Sequence, residues 1–260
     1  MRISSQEELT KWARQADKLW FFLDYDGTLA EFTSTPEVIE PRPEIIQLLE
    51  RLKLKPQIRL AVISGRRLKD LQALLPVKGI YLAGTYGVEI QTPDGEVEYR
   101  LEYGRIRPQL DKIKPQWQSL IAGEKGFFLE DKGWSLALHA RFAESDLAER
   151  VLQAASLTFE EHRLGGEFRL LGGNRFLEAA PSIAHKGGAV DYLLLKYPLV
   201  NDQVVYIGDD DKDEDAFSVI HSHAGLAVWV LHQPDTACSD LADYTFPSPE
   251  ALRGWLSCLV

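Results

Sequence analysis

Leu19-Trp20-Phe21-Phe22-Leu23-Asp24-Tyr25-Asp26-Gly27-Thr28-Leu29 is the stretch that decides the fold. Five apolar residues run unbroken into Asp24, the pattern of a strand buried on both faces of a sheet. In α/β architectures such strands present their functional groups at the carboxyl end. Asp24 and Asp26 stand two apart, so both side chains project to one side while the chain stays extended. Gly27 permits a sharp turn, and Thr28 brings a hydroxyl to its mouth. The plainer reading is an Asp-Gly turn between two buried segments.

Two neighbouring carboxylates repel each other and any anion, so the pair makes chemical sense around a hard cation such as Mg²⁺. With that charge in place an ionised Asp can attack phosphorus without a separate base, and the second can carry protons.

A chain of 260 residues, 45% hydrophobic and 26% charged, suits a soluble globule of one domain, or of a core with an insertion. The formal net charge of −10, unrelieved by any basic cluster, argues against a nucleic-acid partner. No run approaches the roughly 20 apolar residues of a membrane span. The polar start, Met1 to Asp17, has no signal-peptide core, so a cytoplasmic protein without membrane contact is expected. Cys238 and Cys258 are too few and too far apart for a disulfide framework or a zinc site, and read as free thiols.

Outward from the opening stretch, Ser4 to Glu8 has the form of a capping box, and Leu9, Trp12, Ala13, Ala16 and Leu19 follow at helical spacing. Glu31 to Pro43 reads as a loop, and Ile45 to Leu52 as a helix. Ile58 to Ile63 is a second strand ending in Ser64-Gly65-Arg66-Arg67 before a helix with Leu68, Leu71 and Leu75. A hydroxyl between a strand end and a helix start suits an anion, which backbone N–H groups and the helix dipole would face; the alternative is an ordinary Ser cap. A strand at Ile80 to Ala83 and a hairpin around Pro93-Asp94-Gly95 complete a first half whose alternation predicts a parallel sheet.

From Ile106 the order becomes helix, two strands at Phe127 to Glu130 and Trp134 to Arg141, helix, and two strands at Glu167 to Leu171 and Arg175 to Ala179. This predicts an inserted α+β cap over residues 105–180, with the core formed by residues 1–104 and 181–260. The core resumes with a helix opened by Lys186-Gly187-Gly188, and a strand at Val204 to Ile207 runs into Gly208-Asp209-Asp210-Asp211-Lys212-Asp213-Glu214-Asp215. Five Asp and one Glu in seven residues would ordinarily be a solvated charge run. Following a buried strand, they reach the same sheet edge as Asp24, where Asp209 can complete an oxygen shell for Mg²⁺ and Asp213 can bind through water or orient Lys186. A helix, the strand Gly225 to Leu231 and a closing helix from Pro249 end the chain.

Asp24-Tyr25-Asp26-Gly27-Thr28-Leu29 resembles the first motif of the haloacid dehalogenase phosphatases, with Ser64, Lys186 and the Gly208–Asp215 run matching the next three in order. The run resembles most closely the trehalose-6-phosphate phosphatase branch. The resemblance implies a Rossmann-like α/β core with a mostly parallel sheet and an inserted cap. It implies Asp24 as nucleophile and Asp26 as general acid and base. Mg²⁺ would be held by Asp24, Asp209 and the backbone carbonyl of Asp26, phosphate by Ser64, Gly65 and Lys186, and the site supported by Thr28, Asp210 and Asp213. Arg66, Arg141 in Leu138-His139-Ala140-Arg141, and Glu178 in Gly173-Asn174-Arg175-Phe176-Leu177-Glu178 would contact a sugar. The substrate implied is a sugar phosphate, trehalose 6-phosphate or another compatible-solute precursor, handled by a monomer. Tyr86 stands where the family has His, Ala140 where it has Tyr and Lys212 where it has Thr. A different class, a non-catalytic phosphate sensor built like a receiver domain, shares the acidic pair, hydroxyl and Lys but has no use for a cap.

Overall fold

The computed structural model describes residues 2–31, 40–162, 164, 166–173, 175–198, 202–232 and 238–260. Most of the loop expected between Glu31 and Pro43, and Asn174 of the cap hairpin, lie outside them. The chain divides into two compact units, one of residues 1–98 and 185–260, the other Tyr99–Ala184.

The first unit contains α1 (Gln6–Gln15), β1 (Lys18–Leu23), α2 (Pro43–Leu52), β2 (Ile58–Ile63), α3 (Leu68–Leu74), β3 (Tyr81–Gly84), β4 (Glu89–Gln91) and β5 (Val97–Tyr99), whose last residue crosses into the second unit. The second unit holds α4 (Tyr103–Leu120), β6 (Phe128–Asp131), β7 (Leu136–His139), α5 (Ser145–Glu161), β8 (Phe168–Gly173) and β9 (Phe176–Pro181). The chain then returns to the first with α6 (Lys186–Lys196), β10 (Asp202–Gly208), α7 (Glu214–Ser222), β11 (Leu226–Val230), β12 (Tyr244–Phe246) and α8 (Pro249–Ser257).

The strands of the first unit form one sheet in the order β12-β11-β10-β1-β2-β3-β4-β5. It is parallel from β12 to β3, with β4 antiparallel at the β3 side. β1 lies at its centre and is buried on both faces, as its unbroken apolar run requires. Leu19, Phe21 and Leu23 pack with residues of α1, α2, α3 and α8, while Trp20 and Phe22 pack with those of α6 and α7. Truncating one of these aromatics to Ala would cost about 3–5 kcal/mol. The chain winds away from β1 to β2 and β3 on one side and to β10 and β11 on the other, so a topological switch point lies between β1 and β10.

Three details depart from the sequence reading. α1 stops at Gln15 and Leu19 belongs to β1, its helical spacing being coincidental. Glu8 turns back to the N–H and hydroxyl of Ser4, while Ser5 caps the Glu8 N–H, so the capping box is offset by one residue. β12, three residues long, is too short to leave a pattern.

In the second unit β6, β7, β9 and β8 form an antiparallel sheet in that order. One sheet face carries Leu129, Leu136, Leu138, Leu177 and Ala179, the other Phe128, Glu130, His139, Phe176 and Glu178. Trp134 and Arg175 fall in turns rather than strands, Arg175 with a left-handed backbone, φ 57°. Among the described residues no helix is long and apolar enough to cross a membrane.

Candidate active site

Parallel pairing builds the site. Leu23 is in register with Ile207 on one side and Val62 on the other, so β10, β1 and β2 end at one sheet edge on strands about 4.8 Å apart. Asp24 is the first residue past β1, and Asp209 and Ser64 follow one register step further on the two flanking strands. The Asp24 N–H donates to the Ile207 carbonyl at 2.9 Å, extending the ladder one step and fixing Asp24 at the sheet edge.

Asp24, Asp209 and Asp213 are buried and offer carboxylate oxygens that all lie within 4.8 Å of one another. Lys186, the first residue of α6, reaches into the cluster: its Nζ is 2.6 Å from Asp213, 3.0 Å from Asp24 and 3.6 Å from Asp210. Asp213 is saturated. Oδ1 accepts from Lys186 and the Tyr206 hydroxyl, and Oδ2 from the N–H groups of Asp209 and Asp210. Asp213 therefore orients Lys186 and ties down the Asp209-Asp210 turn, which leaves Asp24 and Asp209 as the carboxylates best disposed toward a cation. Asp210 caps the turn through the Lys212 N–H, and its carboxylate also meets the Lys212 ammonium at 3.4 Å.

The cluster carries more negative than positive charge. Burial pushes the Asp24 carboxyl well above its ordinary value, helped by Asp213, Asp209 and Asp210 and opposed by Lys186. Burial also pushes Asp213 up. Burial acts to lower Lys186, but Asp213 and Asp24 outweigh it and hold the ammonium charged. Oxygen donors alone, too many carboxylates for one ammonium and little water make a donor set that fits a hard divalent ion such as Mg²⁺.

Asp26 faces elsewhere. Both its oxygens are held by the Arg66 guanidinium in a bidentate pair, Nε–Oδ2 and Nη2–Oδ1 each at 2.6 Å. Arg66, expected on the substrate, is thus engaged within the site. Of Asp26 only the backbone carbonyl remains for the cation shell that the sequence suggests.

Ser64 is buried at the end of β2, and its Oγ accepts from the Arg66 N–H at 3.2 Å. That tight turn delays the helix: α3 starts four residues later at Leu68, and its Leu68 N–H is taken by Glu89 at 3.2 Å. Of the N–H groups expected to face an anion at Ser64, those of Arg66 and Leu68 are therefore already taken. The loop is braced by the next turn, where Thr85 N–H donates to Arg66 O at 2.6 Å and Tyr86 N–H to Ser64 O at 2.9 Å. Tyr86, left-handed at φ 53°, lays its ring on Gly65 so closely that a Cβ there would sit 2.6 Å from the phenol.

Two further side chains hold Asp209: Thr28 donates to Oδ1 at 2.7 Å, and His232 Nε2 lies 2.5 Å from Oδ2. The hydrogen bond to Asp209 pushes the imidazole above its ordinary pKa. Sequence reasoning passed over His232, because a single His beyond a strand carries no spacing signal.

In the second unit Glu178 is fully buried on β9, with Ser135 Oγ at 2.5 Å on one oxygen and Lys132 Nζ at 3.2 Å on the other. Arg141 is exposed on the turn after β7. On the Glu178 face, His139 stacks on Phe128 with centroids 5.9 Å apart, lies tilted against Phe176 at 5.2 Å, and meets Glu130 at 3.1 Å.

Residues 22–250 match the family model described as trehalose-phosphatase. A protein of Sinorhizobium fredii (strain NBRC 101917 / NGR234) described as a probable trehalose-phosphate phosphatase is 29% identical over 255 residues, 98% of this chain and 92% of that protein. The trehalose-phosphate phosphatase of Mycobacterium marinum is 30% identical over 88% of the chain, which spans only 58% of that longer protein. Among solved structures, the C-terminal domain of the Candida albicans trehalose-6-phosphate phosphatase superposes with a TM-score of 0.84 at 19% identity, covering 99% of this chain and 98% of that one. The Aspergillus fumigatus trehalose-6-phosphate phosphatase gives 0.70 at 23%, covering 100% and 98%. A haloacid dehalogenase-like hydrolase from Bacteroides thetaiotaomicron shares the fold at 0.66, with 17% identity over 94% of this chain and 100% of that one. A match running from β1 into α8, over the strands that carry Asp24, Ser64 and Asp209, places the chain in the trehalose-phosphatase family of phosphoric monoester hydrolases.

Proposed function

We propose that the protein is a Mg²⁺-dependent phosphatase that releases trehalose and phosphate from trehalose 6-phosphate through a phosphorylated Asp24. The observation that carries this reading is the convergence of Asp24, Ser64, Lys186 and Asp209 on one sheet edge, with more buried carboxylate than Lys186 can balance.

Asp24 and Asp209, with the Asp26 carbonyl, would hold Mg²⁺, which when bound neutralises the carboxylates and polarises the phosphoryl group. In the first step an Asp24 oxygen forms a bond to phosphorus as the bond to the sugar oxygen breaks, and Asp26 gives that oxygen its proton. In the second, Asp26 takes a proton from water, the water oxygen bonds to phosphorus, and the Asp24–phosphorus bond breaks. Lys186, Ser64 and the Gly65 loop hold the non-bridging oxygens throughout. For both transfers Asp26 would leave the bidentate Arg66 pair that occupies its two oxygens in the structure. The second unit, residues 105–180 in the sequence reading, acts as the cap. Arg141 and the face bearing Phe128, His139 and Phe176 would serve the sugar, a mixture of stacking surface and polar anchor suited to a carbohydrate. Glu178, expected on the sugar, is buried and bonded to Lys132 and Ser135 and so would fix that face from within. We infer a cytoplasmic monomer acting on a small molecule.

Tyr86, Ala140 and Lys212 favour keeping a second reading, a phosphatase for another sugar or compatible-solute phosphate. Phosphate release measured with Mg²⁺ over trehalose 6-phosphate, sucrose 6-phosphate, glucosylglycerol phosphate and mannosylglycerate phosphate separates the two. A kcat/KM for trehalose 6-phosphate at least tenfold above the others is expected, and a preference for another substrate overturns the first reading. Turnover by Asp24→Asn with chelator present would refute the chemistry of both.

A further inference from the structure

We propose that His232 is a positioning residue for the divalent cation, acting through Asp209; the inference rests on the Mg²⁺ reading above. β10 lies between β1 and β11, and the chain leaving each neighbour sends one donor to the same carboxylate: Thr28 from the turn after β1, His232 from the end of β11. Oδ1 is held at 2.7 Å and Oδ2 at 2.5 Å, so the plane of the carboxylate is fixed from both sides. An ionised carboxylate can only accept, which assigns the Nε2 proton to His232. Each oxygen keeps a second lone-pair direction for a cation.

The backbone makes room for this clasp. Gly27 has φ +92°, and a Cβ built on it would lie 2.4 Å from both Asp209 Oδ2 and His232 Cε1. The glycine therefore serves two purposes: it turns the chain after Asp26 and leaves the space in which the Asp209–His232 pair sits. Thr28 is fully buried and Asp209 is 6% exposed, so water is a poor substitute for the Thr28 donor, while His232, its side chain 29% exposed, closes the carboxylate on its outer side. A ligand oxygen whose rotation is already frozen binds a cation without that ordering cost, and loss of such an outer partner typically weakens metal binding by about 10- to 100-fold.

The test is direct titration of the chelator-treated 260-residue chain with Mn²⁺, followed by electron paramagnetic resonance, with Asp209→Asn as the reference for a lost ligand. Wild type binding one ion per chain, His232→Ala binding it about 10- to 100-fold more weakly, and an unchanged KM for the sugar phosphate at saturating metal are the expected results. His232→Gln, which keeps an N–H donor, restores most of the affinity; it also carries the test if His232→Ala does not fold. Mn²⁺ bound by His232→Ala within about twofold of wild type, or more tightly, overturns the inference alone, as does a His232→Gln as weak as the Ala variant. A wild-type protein that takes up no cation sinks the Mg²⁺ reading together with it.

Discussion

Both units bury charge, but they treat it differently. In the second, Glu178 is closed off by Ser135 and Lys132, and Asp131 is gripped by Arg107 through two nitrogens and by Lys114 at 2.7 Å. Each carboxylate there has its cation beside it. In the first, Asp24, Asp210 and Asp213 share Lys186, Asp209 beside them is bonded to Thr28 and His232, and among the described residues only Asp210 has a second ammonium, that of Lys212. Matched buried charge maintains a fold; unmatched buried charge is a site awaiting a further partner. On the proposed function, the contrast would separate the place of the chemistry from a surface that positions the substrate.

The largest effect expected is on turnover. Asp24→Asn should lower kcat by on the order of 10⁴-fold or more. Asp26→Asn should lower it by about 10²- to 10⁴-fold while still allowing slow phosphorylation of Asp24, visible as an added phosphoryl mass on the intact protein. Glu178→Gln should act mainly on KM. A kcat loss in Glu178→Gln as large as in Asp24→Asn would break the distinction between the units.

Next comes stability. Lys186→Met and Lys132→Met each strand a buried carboxylate, and each should cost about 3–5 kcal/mol in urea unfolding of metal-free protein. Only the first loss should be partly repaired by Mg²⁺, because only there do the remaining oxygens bind it. Saturating Mg²⁺ at 100 times its Kd should stabilise the wild type by about 2.7 kcal/mol. Equal rescue of both variants would mean that the ion acts on the whole protein rather than at the acidic cluster.

The architecture was largely legible in the sequence because its signals are local. The five-residue apolar run gave a strand buried on both faces, and the helical periodicity from Ile106 to Leu120 survived Pro108 and Pro115 inside α4. The convergence of Asp24 and Asp209 could also be anticipated, since strand ends in a parallel sheet share an edge. What stayed hidden depends on side-chain choice between partners distant in sequence. Asp26 takes Arg66 forty positions away, and His232 finds Asp209 across twenty-three. Glu178 reads as an exposed hairpin residue until Lys132 and Ser135 are seen to enclose it. No periodicity encodes such pairings, and the turn that parts Ser64 from α3 is likewise set by its bonds to Thr85 and Tyr86.

The smallest effect, and the one that divides the units by sign, is the response of metal-free protein to acid. Burial holds Asp24 and Asp213 above their ordinary values, so the folded state takes up protons before the unfolded state does. Stability from this source rises as pH falls from about 7, where Asp213 titrates, and is complete below the unfolded carboxyl value of about 3.9. Burial works to raise Asp210 too, but Lys186 and Lys212 hold it low, which offsets part of the gain. Asp131 behaves in the opposite way. Arg107 holds it far below the ordinary range, so its contribution is full above about 3.9 and is lost as pH falls through the lower folded value. Its side chain is 24% exposed, which limits the loss to on the order of 1 kcal/mol after solvent screening. Hydrogen exchange of metal-free protein should therefore slow in the first unit between pH 7 and 4, after correction for the intrinsic rate. Below pH 4 it should quicken in the second, and Asp131→Asn should abolish that change. Mg²⁺ should remove the gain in the first unit by keeping its carboxylates ionised; a first-unit response identical with and without the ion would show that the acidic cluster does not hold it.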